Sequence, residues 1–348
     1  MFKKILYLIV IAFLIFLVTG FRLPGTVQVE RSIDIARPPS TVFTLLNGFR
    51  SFTTWSPWSE RDPQTVYDYS GSDYGPGARI SWTGDPRLVG SGWQEIVESR
   101  PYSRVGMRLD FDQMGEATSW FNIAPDGPGA RVTWGFEMDL AQGQGFFGGL
   151  IMRYFGLFFD RWFGSDYETG LSRLKTYAES LPDADFSDLD VAVVDVEPVS
   201  ILYVALNPHE VSEGVDEGLA AAYREISALM EAQSIEMLSQ PMSISRSWDA
   251  ENYEIDAAIP IPSTEVELSG NVQAGLSPSG RAVRVIHRGP YSRMPASYAK
   301  LAAYMATHGL REGRVSWEQY ISNPGQTAPE DTITHIYFLV EDQPSEQD

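Results

Sequence analysis

The sequence predicts an α+β protein of two domains behind an N-terminal transmembrane helix. Three observations predict it. An uninterrupted apolar run opens the chain, closely spaced strand-like runs follow without intervening helices, and the C-terminal part writes one strand–helix–strand–strand pattern twice. At 348 residues there is chain enough for two cores of ordinary size.

"MFKK" sets Lys3 and Lys4 ahead of "ILYLIVIAFLIFLVTGF", which ends at Arg22. The run lies at the short edge of what spans a bilayer as a helix. The lysines keep the N-terminus cytoplasmic, so segment 1–22 reads as a single-pass anchor in the cell membrane, with the rest extracytoplasmic. A cleaved signal peptide is the alternative, with Val18 and Gly20 before the cut and a secreted or periplasmic product.

The first domain spans 27–180. Val27, Val29, Arg31, Ile33 and Ile35 alternate as in a strand, Pro38 and Pro39 stop it, and Ser40 is placed to cap a helix carrying Val42, Phe43, Leu45 and Leu46. Six strand-like runs follow, from "TVYDYS" to "ARVTWGFEMDL", separated by Gly, Pro and Asp as in an antiparallel meander. Apolar residues from Phe147 to Leu174 then recur at three- and four-residue steps, predicting a long closing helix. "GQGFFG", Gly143 to Gly148, has the spacing of a dinucleotide loop but follows a meander rather than opening a parallel βαβ unit, so no nucleotide site is expected.

"SLPDADFSDLD" gives a polar linker over 181–190, and 191–341 forms the second domain. "SILYVALNPHEVS" returns in type as "RAVRVIHRGPYSR", and the helix "GLAAAYREISALMEAQ" as "MPASYAKLAAYMATHG". "LSQPMSISRS" and "YEIDAAIPI" return as "GRVSWEQYISNP" and "TITHIYFLV". The repeat predicts two modules about a pseudo-twofold with both helices on one sheet face, leaving the other face concave as a ligand cleft. Residues 342–348 are expected to be a disordered tail.

Composition narrows the chemistry. There is no cysteine, which excludes thiolate nucleophiles, disulfides and Cys-based zinc sites. His209, His287, His308 and His335 are too scattered to propose a metal site, and no cofactor is expected. The net charge of −20 sits mostly in the second part: 17 basic and 19 acidic residues up to Pro182, then 9 and 27. That field repels nucleic acid and draws in cations, though acid also serves simply to keep an exported domain soluble.

Glu318 is the residue to explain. In "RVSWEQY", Ser316, Glu318 and Tyr320 share one strand face and Trp317 and Gln319 the other. Trp317 and Ile321 suit the helix-covered core, which turns Glu318 and Tyr320 to the concave cleft. A carboxylate among aromatic rings loses hydration unless a cation or donor compensates, and a cationic ligand supplies that, with cation–π contact from the tyrosines. Tyr253, in the matching strand of the first half, is a further lining candidate. His287 and His335 lie near enough to be weighed, and each reads better as a satisfied structural histidine.

Two resemblances extend this reading. "VERSIDIARPPSTVFTLLNGFRSFTTWSPW" resembles the opening of START-like SRPBCC domains of the polyketide cyclase/dehydrase type, and element order carries the likeness to about Ser180. It implies a helix-grip fold with an apolar cavity between sheet and helix, which Trp55, Trp58, Trp82, Trp93, Trp120 and Trp134 are the candidates to line. "HRGPYSRMPASYAKLAAYM", "VSWEQYISNP" and "EDTITHIYFLV" resemble, in that order, the GyrI-like effector-binding domain of bacterial AraC- and MerR-type regulators. That resemblance implies that Glu318 is the central acidic residue meeting amphipathic or cationic ligands, with Tyr320 and Tyr291 as its aromatic neighbours.

Together these give a membrane-anchored protein binding small amphipathic or cationic molecules, with no nucleic acid partner and no protein partner named by the sequence. Two alternatives stand beside it. One is a detoxifying hydrolase of reactive electrophiles, as some GyrI-like proteins are, using Glu318 as acid/base and Tyr320 to orient water. The other is a lipid-binding or transfer protein using the first domain's cavity.

Overall fold

The computed structural model describes residues 2–111, 115–141, 145–206, 208–249, 252–323 and 326–341. It divides into two compact units, Met1–Ser187 and Asp188–Asp348. Gly143 of the glycine run, Pro324 of the Asn-Pro pair and the tail 342–348 lie outside the described residues.

In the first unit, helix α1 (Phe2–Arg22) precedes strand β1 (Thr26–Ile35) and the short helices α2 (Pro39–Leu46) and α3 (Phe52–Trp55). Strands β2 (Val66–Gly71), β3 (Ala78–Thr83), β4 (Ser91–Arg100), β5 (Arg104–Phe111), β6 (Gly115–Asp126) and β7 (Gly129–Asp139) form the meander, and α4 (Phe146–Ser180) closes the unit. The seven-stranded sheet has the order β1-β7-β6-β5-β4-β3-β2, every neighbouring pair antiparallel. Connections of two to seven residues keep each strand of the meander beside its predecessor, and β1 then completes the order by pairing with β7. Inward residues such as Ile80, Ile96, Val105, Val132 and Phe136 join Leu171 and Leu174 of α4 in one core. Arg31 of β1 fixes α4 from outside through Asp160 at 2.9 Å and Glu168 at 2.7 Å.

Ser40 is not the cap of α2. The helix begins at Pro39, whose missing N–H costs nothing at a first helical position, and the Ser40 hydroxyl donates instead to Asp185 Oδ1 at 2.7 Å. The acidic segment after α4 is therefore packed rather than loose, with Phe186 buried.

The second unit contains β8 (Val191–Val196), β9 (Ser200–Leu206), α5 (Pro208–Gln233), β10 (Met242–Asp249), β11 (Asn252–Pro260), β12 (Gln273–Leu276), β13 (Gly280–Arg288), α6 (Met294–Thr307), β14 (Arg311–Tyr320) and β15 (Ile333–Glu341). Its sheet order is β12-β9-β11-β10-β14-β15-β13-β8. The two repeats are thus β9-α5-β10-β11 and β13-α6-β14-β15, meeting at β10 and β14. Each edge strand is exchanged: β8, which leads into β9, pairs with β13, while β12, which leads into β13, pairs with β9. That exchange ties the two repeats into one sheet.

Both sheet faces are apolar. On one, α5 packs on Leu202, Val204, Ala257 and Ile259, and α6 on Val283, Val285, Ile336 and Phe338. On the other, Ile201, Met242, Ile244 and Trp317 form a core of their own.

Candidate functional site

β14 sets the site. Its register pairs Glu318 with Ile336 of β15 and Trp317 with Tyr337. Residues directly opposite in an antiparallel pair share a face, so Glu318 lies on the face of Ile336, which is the face that carries the helices. The expectation that Trp317 belongs to the helix-covered core and Glu318 to the bare face is therefore corrected. Trp317 stacks on Tyr337 on the opposite side, with centroids 4.6 Å apart and planes 4° from parallel. Alternation fixes which residues share a face, but with an apolar core on both sides it does not say which face the helices take.

The floor between the two helices is polar and small. Across β10 the register sets Ser243 opposite Glu318 and Ser245 opposite Ser316. Glu318 stands on this floor, and both its oxygens are engaged. The Tyr298 hydroxyl, from α6, donates to Oε1 in a short contact, and the Tyr320 hydroxyl lies 3.0 Å from Oε2. Tyr320 is also 2.9 Å from Ser243 Oγ. Its one proton serves two acceptors, the Glu318 carboxylate and Ser243 Oγ. Among the described residues no ion pair reaches Glu318.

Two further rings complete the surroundings. Tyr291, partly exposed, meets Tyr320 edge-on at 6.0 Å between centroids. Tyr223 of α5 donates to the Met242 carbonyl at 2.8 Å. Burial, followed by the nearby Glu318 charge, pushes the phenols of Tyr320 and Tyr223 upward. The Tyr291 phenol is also raised, mainly by burial. These hydroxyls stay protonated at neutral pH, so Tyr320 keeps its hydrogen for the carboxylate. The arrangement is a carboxylate held in place by hydroxyl donors between aromatic rings, with Asp216 of α5 also within electrostatic reach of Tyr291.

Glu318, Tyr320 and Tyr291 are brought together; His287 and His335 are not. Tyr253 pairs its backbone with Trp248, and its side chain lies outside the described residues. His287 is buried and satisfied by Ser297 Oγ at 2.9 Å and the Pro290 carbonyl at 3.3 Å. His335 lies opposite Gln319 in register, hence on the Trp317 face, and burial lowers its pKa. Tyr298 and Tyr223 were not among the sequence candidates. The duplication carried their signal, because "AAAYREISALM" and "PASYAKLAAYM" place one tyrosine at matching helix positions.

The first unit holds a cavity of about 760 Å³ between sheet and α4. Trp58, Trp82 and Trp134 line it, together with Phe155, Phe159 and Trp162 of α4. Trp55 packs in the core beside Phe52 and Trp134. Trp93 lies against Arg79 at 4.0 Å and Arg108 at 5.2 Å, and Trp120 against Arg104 at 5.9 Å, away from the cavity. The cavity's polar atoms are mostly matched internally: Trp134 Nε1 donates to Ser119 Oγ at 3.0 Å and Trp58 Nε1 to Asp166 Oδ2 at 3.1 Å. Among the described residues no cluster of His, Asp or Glu is placed to hold a metal ion.

Comparison with known proteins agrees with both halves. Residues 26–179 match the family model described as polyketide cyclase / dehydrase and lipid transport, and residues 190–341 match the GyrI-like small molecule binding domain. The chain joins an SRPBCC domain to a GyrI-like domain. No curated protein matches this chain. Solved structures similar to it include a hydrolase from Listeria innocua (17% identity, 43% of this chain and 91% of that one, TM-score 0.34). The EcmrR C-terminal domain is similar at 18% identity, over 44% of this chain and 98% of that one, with a TM-score of 0.36. The protein CV1439 from Chromobacterium violaceum is similar at 18% identity, over 45% and 99%, with a TM-score of 0.30. Glu318 and its tyrosine neighbours lie within the GyrI-like match, and the aromatic cavity lies within the SRPBCC match.

Proposed function

We propose that this is a membrane-anchored, exported protein that binds amphipathic cationic small molecules in the GyrI-like cleft. The observation that carries the reading is Glu318: a partly buried carboxylate with a hydroxyl on each oxygen, rings on either side, and no cation of its own among the described residues. Hydroxyl donors hold the charge in position without cancelling it, and a ligand cation supplies the missing counter-charge while its apolar part lies on the tyrosine rings. Helix α1, whose segment Lys4–Arg22 has a mean hydropathy of 2.5, is the anchor, with Lys3 and Lys4 on the cytoplasmic side.

The engagement of both Glu318 oxygens favours recognition over proton abstraction, because a general base must give up a donor before it takes a substrate proton. A thermal-shift screen of lipophilic cations on the full chain, wild type against Glu318→Ala, tests the reading. Cations that raise Tm in the wild type alone support it. Turnover of an electrophile that disappears in Glu318→Gln while binding persists would replace it with a hydrolase.

A further inference from the structure

One face of α4 changes character along its length. The positions Phe147, Ile151, Phe155, Phe158 and Trp162 follow steps of four, four, three and four, and so form one stripe. The same stripe continues through Ser165, Thr169, Ser172 and Thr176. All nine are exposed, the five apolar ones between 46% and 58%. An outward helix face in water is expected to be polar, as it is from Ser165 onward; from Phe147 to Trp162 it is aromatic and aliphatic over roughly 22 Å of helix.

The apolar part is also the part that α1 touches. Gly20 lets the helices approach so closely that a Cβ there would fall 2.7 Å from Leu150 Cδ1. Phe16 stacks on Tyr154 at 4.7 Å, and the Tyr154 hydroxyl donates to the Phe16 carbonyl at 2.6 Å. Arg153, the one charge within the first turns of α4, points back to the end of α1 and donates to the Leu23 carbonyl at 3.2 Å. A cation there is satisfied by the unpaired carbonyls of a helix C-terminus. The apolar stripe is thus continuous with the exposed apolar surface of α1 itself.

We infer that the Phe147–Trp162 face of α4 is a second lipid-contacting surface, lying in the bilayer interface beside α1, with the water boundary between Trp162 and Ser165. A large exposed apolar patch is the mark of such a surface, and tryptophan is the residue favoured at its edge. The first 182 residues carry only two more acidic than basic groups, so no strong negative field keeps this unit from a lipid surface. Phe155 and Trp162 line the SRPBCC cavity as well as the stripe, so the mouth of that cavity faces lipid. The inference rests on α1 as a membrane span and does not depend on the GyrI-like cleft.

The chain has no cysteine, so single labels are direct. Ile151→Cys, Phe158→Cys and Ser172→Cys, with Leu14→Cys on α1 as reference, are spin-labelled in the full chain. Each is reconstituted in phosphatidylcholine/phosphatidylglycerol nanodiscs and read for collision with oxygen and with a water-soluble nickel chelate. The expected result is that positions 151 and 158 behave like 14, open to oxygen and closed to nickel, while 172 shows the reverse. Nickel access at 151 and 158 with 14 still in lipid overturns the inference and leaves the span intact. Nickel access at 14 removes the span and the inference together. Low access to both agents at 151 and 158 also overturns it, because protein, such as a second copy, then covers the stripe.

Discussion

On the helix-bearing face of the central strand pair, β10 of the first repeat presents Ser243 and Ser245, whereas β14 of the second presents Ser316, Glu318 and Tyr320. The helices show the same contrast. Tyr223 in α5 donates to a main-chain carbonyl, and its counterpart Tyr298 in α6 donates to Glu318. The two repeats share one scaffold, and Glu318 stands on the strand of the second. Under the proposed function, a ligand with one cationic end would have one favoured orientation, with its cation at Glu318 and its apolar part on the tyrosine rings.

The largest effect is expected from Trp317→Ala, which removes the stack on Tyr337 beneath both repeats. A buried tryptophan truncation costs about 3–5 kcal/mol, read by chemical denaturation of the full chain. A loss near zero would mean that the face opposite the helices is no core. Next comes the tyrosine pair. Tyr298→Phe removes a donor to a charged group and should weaken binding of a lipophilic cation about tenfold by titration calorimetry. Tyr223→Phe should leave affinity nearly unchanged and lower stability by about 1 kcal/mol. Equal losses of affinity would show the two repeats to be functionally symmetric.

The smallest effect concerns pH. Burial holds the His308 pKa below its ordinary value, against a partly compensating bond to the Tyr304 carbonyl. Between the lowered value and the ordinary ~6.5 the unfolded chain binds more protons than the folded one, so stability is full above that range and falls as pH drops through it. His335 is lowered in the same sense. Tm measured from pH 8 to pH 5 should decline less in His308→Gln than in the wild type.

The organisation of the chain was legible because short turns dictate a meander and because the second domain repeats its own pattern. Alternation in "RVSWEQY" also placed Glu318 with Tyr320, since a two-residue period leaves no choice. It failed at the next level, which face meets the helices, because Ile336 and Trp317 are both apolar and each has a core to enter. Tyr298 depends on a helix docking across strands remote in sequence, so only its repeat position hinted at it. The cavity tryptophans were separable by the same period: Trp82 alternates in phase with buried Ile80, whereas Trp93 shares its face with Glu95. Ser40 misled because a proline at the first helical position displaces the usual cap.

In the proposed function Glu318 recognises a positive charge rather than shape alone. The most direct measurement is the Kd of a lipophilic cation and of its uncharged isostere, for wild type and Glu318→Gln in the full chain. The wild type is expected to prefer the cation by about tenfold or more, and the variant to lose this preference while still binding the isostere. Equal affinities for the two ligands in the wild type, or a preference that survives Glu318→Gln, would contradict it.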